Sequence, residues 1–339
     1  MHHNEDKYAQ FGLVRDMLAT AEIIKRFDTG QVAETAKAIA GVGRLLMTGE
    51  GSSRLFPAKS AIAHALRQGW DLQLHTEAGR QASEYDLSKW AVFALSNSGR
   101  TREVIELFSK LKEQGHQHLY SLTAFAETKL ESLADQGYVL TCGEEGAVAA
   151  TKSVIEQALF YRALLEAAAG SADLTPRLAE LGDAVDRALT MDIDPAVVAA
   201  VADAETIYWA GRNDGVAEEL TLKTNEITRK AADYLEGTYA VHGIEEVMTG
   251  GQVVIWIDPY EGSEEKFEEV LVQGVGLKIV AISTRSTRFP TIQIPDAGDL
   301  SGYVQMAAGW NILVEVGLRL GINVDKPERA RKVGNEFAG

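Results

Sequence analysis

A chain of 339 residues is too long for one ordinary core at roughly 150 residues per domain, and it reads as two α/β lobes. Its composition, 46% apolar and 24% charged, is that of a globular protein and excludes collagen-like or disordered chains. A formal charge of −16 makes nucleic acid and anionic membranes poor partners, while a small anion can still bind locally. The single cysteine, Cys142, has no internal partner for a disulfide and reads as a buried thiol rather than a nucleophile.

The stretch Met1-His2-His3-Asn4-Glu5-Asp6-Lys7 lacks the basic-then-apolar order of a secretory leader. The Ala-rich run from Gly146 to Gly170 is interrupted by Lys152, Glu156, Arg162 and Glu166, so it does not read as a membrane span. The expected compartment is the cytoplasm. Residues 1–43 show helical spacing of Leu13, Met17, Leu18, Ile23, Ile24 and Phe27. From Arg44 the pattern changes to short apolar runs ended by small residues: 45–49, 91–96, 119–122 and 138–140. Helical segments are expected between and after them, near 53–67, 101–113 and 147–168, and this alternation predicts a parallel sheet covered on both faces.

A second series follows, at Thr206–Gly211, Val253–Asp258 and Leu277–Ile282. Gly49 and Gly211 end comparable strands 162 residues apart, and Ser96 and Asp258 end the next pair at the same separation of 162, which predicts two copies of one fold. The first copy is placed at 44–170, a helical connector at 171–204, and the second copy with a carboxyl-terminal tail at 205–339.

In the first copy the strand at 91–96 runs into Ser96-Asn97-Ser98-Gly99-Arg100-Thr101 and then into an amphipathic helix. Hydroxyls and free N–H groups at the carboxyl edge of a parallel sheet and at a helix start favour an oxygen-rich anion. Gly51-Ser52-Ser53 follows the preceding central strand and offers a second wall, with Arg54 and Arg100 flanking the two loops. By spacing alone, the same serines and threonine serve equally well as helix caps. The second copy provides a contrast: Asp258-Pro259-Tyr260-Glu261-Gly262-Ser263 carries two carboxylates and a proline at the equivalent place, so the anion is expected in the first copy only.

These motifs resemble the double sugar-isomerase (SIS) domain family, which includes the isomerase half of glutamine:fructose-6-phosphate amidotransferase. The likeness runs from about Arg44 to Lys332 and rests on Gly51-Ser52-Ser53, on Ser96 to Thr101, and on Ala147-Val148-Ala149-Ala150-Thr151-Lys152. It continues through Glu219-Leu220-Thr221-Leu222-Lys223-Thr224-Asn225-Glu226-Ile227, His242-Gly243, and Asp325-Lys326-Pro327 with Lys332. The implied fold is two tandem flavodoxin-like SIS domains, each a three-layer αβα sandwich on a central parallel sheet. The family's amino-terminal glutaminase domain is absent from the sequence, which disfavours glutamine-dependent synthesis. Ala147 and Ala150 replace small family residues near the sugar, which leaves the substrate's identity open.

Glu219, Lys223 and Glu226 share a helical face at i, i+4 and i+7, a spacing that by itself also describes a solvated ion-pair stripe. The resemblance implies Glu226 as the base that moves a proton between adjacent carbons, with Lys223 at the substrate. It implies His242, sixteen residues later, as the ring-opening proton carrier, and Lys332 as a cation over the open-chain sugar. It implies Gly51, Ser52, Ser53, Arg54, Ser96, Asn97, Ser98, Arg100, Thr101, Val148 and Ala150 as the substrate-binding set. In related enzymes the corresponding histidine crosses a dimer interface, so a homodimer with shared sites is expected. The histidines show no zinc-ligand spacing and Gly49-x-Gly51 lacks the rest of a dinucleotide fingerprint, so metal-independent chemistry without a cofactor is expected. The leading expectation is an aldose–ketose isomerase of a hexose carrying a 6-phosphate or 6-sulfonate. The alternatives are an amino-sugar-phosphate deaminase or deglycase, and a non-catalytic sugar-phosphate sensor, although no DNA-binding module is apparent.

Overall fold

The computed structural model describes residues 1–2, 4–171 and 173–338. Among the described residues, ten strands form two five-stranded parallel sheets. The first contains β1 (Arg44–Thr48), β2 (Gln73–Glu77), β3 (Ala91–Ser96), β4 (Leu119–Thr123) and β5 (Gln136–Val139), in the order β2-β1-β3-β4-β5. The second contains β6 (Thr206–Gly211), β7 (Ala231–Glu236), β8 (Val253–Ile257), β9 (Lys278–Ser283) and β10 (Thr291–Gln293), in the order β10-β9-β8-β6-β7. Taken from the second strand of each series, the two orders are the same, so the internal repeat read from the spacing of Gly49, Gly211, Ser96 and Asp258 is real. Each sheet is flanked by helices, giving the tandem SIS three-layer α/β architecture.

Central strands follow directly from composition. All six residues of β3 and all five of β4 and of β8 are buried, as in a sheet whose two faces are both covered, and such strands read as continuous apolar runs. The edge strands β2, β7 and β10 were not anticipated. Their sequences, Gln-Leu-His-Thr-Glu, Ala-Ala-Asp-Tyr-Leu-Glu and Thr-Ile-Gln, sit at the rims with much of their surface exposed, and so carry no apolar run to detect.

The chain divides into two compact units. One comprises 22–145, 150–179 and 331–339 and contains the first sheet; the other comprises 1–21, 146–149 and 180–330 and contains the second. This differs from a contiguous division at 43, 170 and 204, because the first and last segments pack away from their sequence neighbours. In the first-sheet unit, Phe93 lies at the centre of an aromatic cluster with Tyr120, Tyr138, Phe160 and Tyr161. The helix Lys152–Ala168 is buried along nearly its whole length, and Tyr161 donates to the Phe93 carbonyl at 3.0 Å. Burial on every side explains its Ala-rich composition. It begins at Lys152 rather than near 147, because Thr151 has non-helical angles and 147–151 run as irregular chain. No described helix is long and apolar enough to cross a membrane.

Candidate functional site

β1 and β3 are neighbours, with Thr48 opposite Ala94, and the strand order reverses between them. Loops leaving the carboxyl ends of such a pair diverge and leave a crevice, the usual ligand position in open parallel sheets. Sheet topology therefore brings together the two loops that the sequence singled out. Gly51–Ser53 forms a single 3₁₀ turn ahead of the helix Leu55–Gln68, and Ser96 to Thr101 precedes the helix Arg102–Glu113. Glycine is required at two places here. A side chain at Gly49 would press on the Leu95 and Ser53 carbonyls at 2.8 and 2.9 Å, and one at Gly99, with φ +63°, would overlap Thr128.

The loop hydroxyls are organised rather than equivalent. Ser96, only 2% exposed, accepts from the Gly99 N–H at 3.1 Å and shares a 2.8 Å hydrogen bond with Thr101, so it shapes the turn. Ser98 accepts from the Arg100 N–H at 3.1 Å and remains half-buried, as do Asn97, Thr101, Ser52 and Ser53. Gln157, fully buried, holds Ser53 at 3.5 Å. Arg54 is half-buried, and its charge acts on Glu50, whose carboxyl is pushed above its ordinary value by burial. Arg100 is paired with Glu336 at 2.7 Å, so its charge is already met by a carboxylate.

The structure also supplies a residue that sequence reading missed. Glu145, whose side chain is 1% exposed, accepts from Lys332 Nζ at 2.8 Å, from Asn97 Nδ2 at 3.1 Å, and from the Thr151 and Ser153 N–H groups at 2.7 and 3.3 Å. Burial opposes its charge, but Lys332 and the backbone donors outweigh that and hold the carboxyl below its ordinary value. One carboxylate thus joins the tail lysine to the anion loop. The signal in the sequence was only an acidic pair before the Ala147–Lys152 motif. The tail that carries Lys332 is itself fastened to the same loop: Arg102 N–H donates to the Asn335 carbonyl and Phe337 N–H to the Arg100 carbonyl, both at 3.0 Å. Within this unit Ala150 is half-buried, and the Cys142 thiol is held protonated by burial, in keeping with its reading as an inert thiol.

In the other unit, the helix Val216–Thr228 carries the second group of candidates. Lys223 Nζ lies 3.3 Å from Glu219 and 2.6 Å from Glu226. Glu219 and Lys223 are fully buried while Glu226 is 22% exposed, so the three are not a solvated stripe and only Glu226 faces outward. The helix is held by Trp209, which donates to Thr224 Oγ1 at 2.7 Å. His242 lies exposed between short 3₁₀ turns, its ring without a hydrogen bond among the described residues. Val148 is fixed through its N–H to the Asp325 carbonyl at 3.1 Å.

At the second copy's equivalent of the anion loop, Asp258 adopts φ +44° and binds Arg212 through both its carbonyl and its carboxylate, each at 2.7 Å. Arg212 also stacks on Tyr260, and Arg285 pairs with Glu264 at 2.5 Å. The contrast with the first copy is therefore one of a loop filled by its own ion pairs, not of bare carboxylates.

The SIS domain model matches residues 88–167. A curated relative, the isomerizing glutamine–fructose-6-phosphate aminotransferase of Aeropyrum pernix, is 25% identical over 324 residues, 87% of this chain and 51% of that protein, so the chain spans about half its length. Among solved structures, tagatose-6-phosphate ketose/aldose isomerase from Escherichia coli superposes with a TM-score of 0.77 at 15% identity, covering 96% of this chain and 99% of that one. Glucosamine-6-phosphate deaminase from Thermotoga maritima does so with a TM-score of 0.73 at 18% identity, covering 95% and 99%. The SIS domain match thus lies in the first lobe, and the two-sheet fold of the chain is that of tandem SIS-type α/β domains.

Proposed function

We propose that this protein is an aldose–ketose isomerase acting on a hexose that carries a 6-phosphate or 6-sulfonate. The observation that carries the reading is Lys332 held against Glu145, which also holds Asn97: a cation is brought to the loop best suited to an anionic sugar. Ser98, Thr101, Ser52 and Ser53 with the loop N–H groups hold the tetrahedral anion, and Lys332 faces the open-chain sugar.

Glu226 is the base. Its carboxylate takes the proton from C2 of the aldose as O1 gains a proton, giving an enediol, and returns it to C1 as O2 gives one up, giving the ketose, so the protons balance and no external reactant is consumed. Buried Lys223, 2.6 Å away, fixes the orientation of that carboxylate. His242 carries the proton that opens the ring.

The test follows carbon-bound deuterium, ketose and free ammonia by NMR in deuterated water, with glucose 6-phosphate, glucosamine 6-phosphate and 6-sulfonated glucose in separate tubes. Ketose with deuterium uptake is expected in at least one tube. Ammonia release would replace the isomerase reading by the deaminase or deglycase, which the same base can serve. Ligand binding without any conversion would leave the sensor.

The active form in this reading is a homodimer in which His242 serves the partner's sugar. His242 is exposed, and beside it Tyr239 and Val247 are 50% and 66% exposed, an apolar surround suited to burial against a second copy. Mixing Glu226→Gln with His242→Asn protein, each nearly inactive alone, is expected to restore about a quarter of parental activity, the statistical share of intact sites in randomly exchanged dimers. No recovery after verified subunit exchange would place both groups in one chain.

A further inference from the structure

The helix that carries Glu226 ends at Arg229, which adopts φ +56°, a left-handed conformation that glycine would hold without steric cost. The position keeps a side chain, and that side chain is fully used. Arg229 Nη2 donates to the Asn323 and Lys326 carbonyls, both at 2.7 Å, and Nη1 donates to the Ile227 carbonyl at 3.1 Å. The guanidinium therefore clamps both sides of Asp325. Asp325 in turn accepts from the Gly12 and Leu13 N–H groups at 2.9 and 2.8 Å through its carboxylate, and from Val148 N–H at 3.1 Å through its carbonyl. A cation at the end of a helix also meets the carbonyl dipoles favourably.

From these contacts we infer that Arg229 is a positioning residue for the reaction, fastening the Glu226 helix, the Val148 segment and the root of the tail to one another. Lys332 follows Lys326 by six residues, which limits its reach from the clamp to about 20 Å of extended chain. Releasing the clamp frees the tail's origin without touching the anion loop. The inference rests on the isomerase reading above, and nothing in the sequence motifs pointed to Arg229.

The unusual backbone supplies a clean test. Arg229→Gly removes the guanidinium but suits the observed φ, so its melting temperature should stay within about 4 °C of the parent. Its kcat should fall by about tenfold or more with KM within about twofold, the mark of a misplaced group rather than a lost binding contact. Arg229→Lys keeps the charge and places its donors on a single nitrogen instead of a fork, and should recover part of the loss. Trypsin should cleave after Arg329 and Arg331 faster in Arg229→Gly than in the parent. A glycine variant with kcat within about twofold of the parent, or one whose activity falls only in step with its stability, would overturn the assignment. If the parent converts none of the sugars, the isomerase reading falls, and the proteolysis rate alone decides the clamp: unchanged cleavage removes it.

Discussion

Glu226→Gln is expected to lower turnover by about 10²–10⁴-fold while leaving the fold and ligand binding close to the parent. The amide keeps the shape of the carboxylate and can still accept from Lys223, whose Nζ lies 2.6 Å away, but it cannot take the C2 proton. Glu226 is the single member of the Glu219–Lys223–Glu226 group with its side chain open to the surface, at 22% exposure against none for the other two. Glu219→Gln should therefore act differently. It leaves buried Lys223 with one carboxylate instead of two and should cost stability first. Deuterium exchange at C2, measured on bound sugar, separates the two: a Glu226→Gln enzyme within threefold of the parent would remove the residue from the base role.

The second large effect concerns the tail. Lys332→Met is expected to lower kcat by about 10²-fold, as for the loss of one charge that stabilises a developing oxyanion. The variant leaves Glu145 with its three remaining donors, from Asn97, Thr151 and Ser153, so the fold should persist with a melting temperature a few degrees lower. Deleting the tail after Ala330 is a less specific test than Lys332→Met. It also strips Phe337, which packs on the core cluster around Val104 and Phe108, and the two backbone hydrogen bonds to 100–102. The pH dependence fixes the sign. Because the Glu145 carboxyl is held below its ordinary value, the pair's contribution is fully present above the usual glutamate range, near pH 4.3, and is lost as pH falls through the depressed value. The part of this contribution set by the Glu145 carboxylate should accordingly be flat across neutral pH. A parental rate in Lys332→Met, measured at saturating sugar, would take the lysine out of the chemistry.

The amino-acid sequence alone determined the central strands, the internal repeat and the two Ser- and Gly-rich loops that follow β1 and β3. A strand buried on both faces must be an unbroken apolar run, and a tight turn between strand and helix needs glycine and small hydroxyl residues, so both are written locally. The exposed rims β2, β7 and β10 were invisible for the converse reason. Whether Glu219, Lys223 and Glu226 were a surface stripe or a buried triplet could not be read from their spacing, since i, i+4 and i+7 describe both; burial against the second core decided it.

Other features exist only through contacts between segments far apart in the chain. Glu145 becomes part of the site because Lys332, 187 residues later, pairs with it. Arg100, which flanks the loop, pairs with Glu336 more than two hundred residues later, and Arg229 gains its role from carbonyls 94 and 97 residues away. The strength of such pairs depends on how deeply the fold removes them from water and on which partners it brings within 3 Å, quantities that no local pattern of residues encodes.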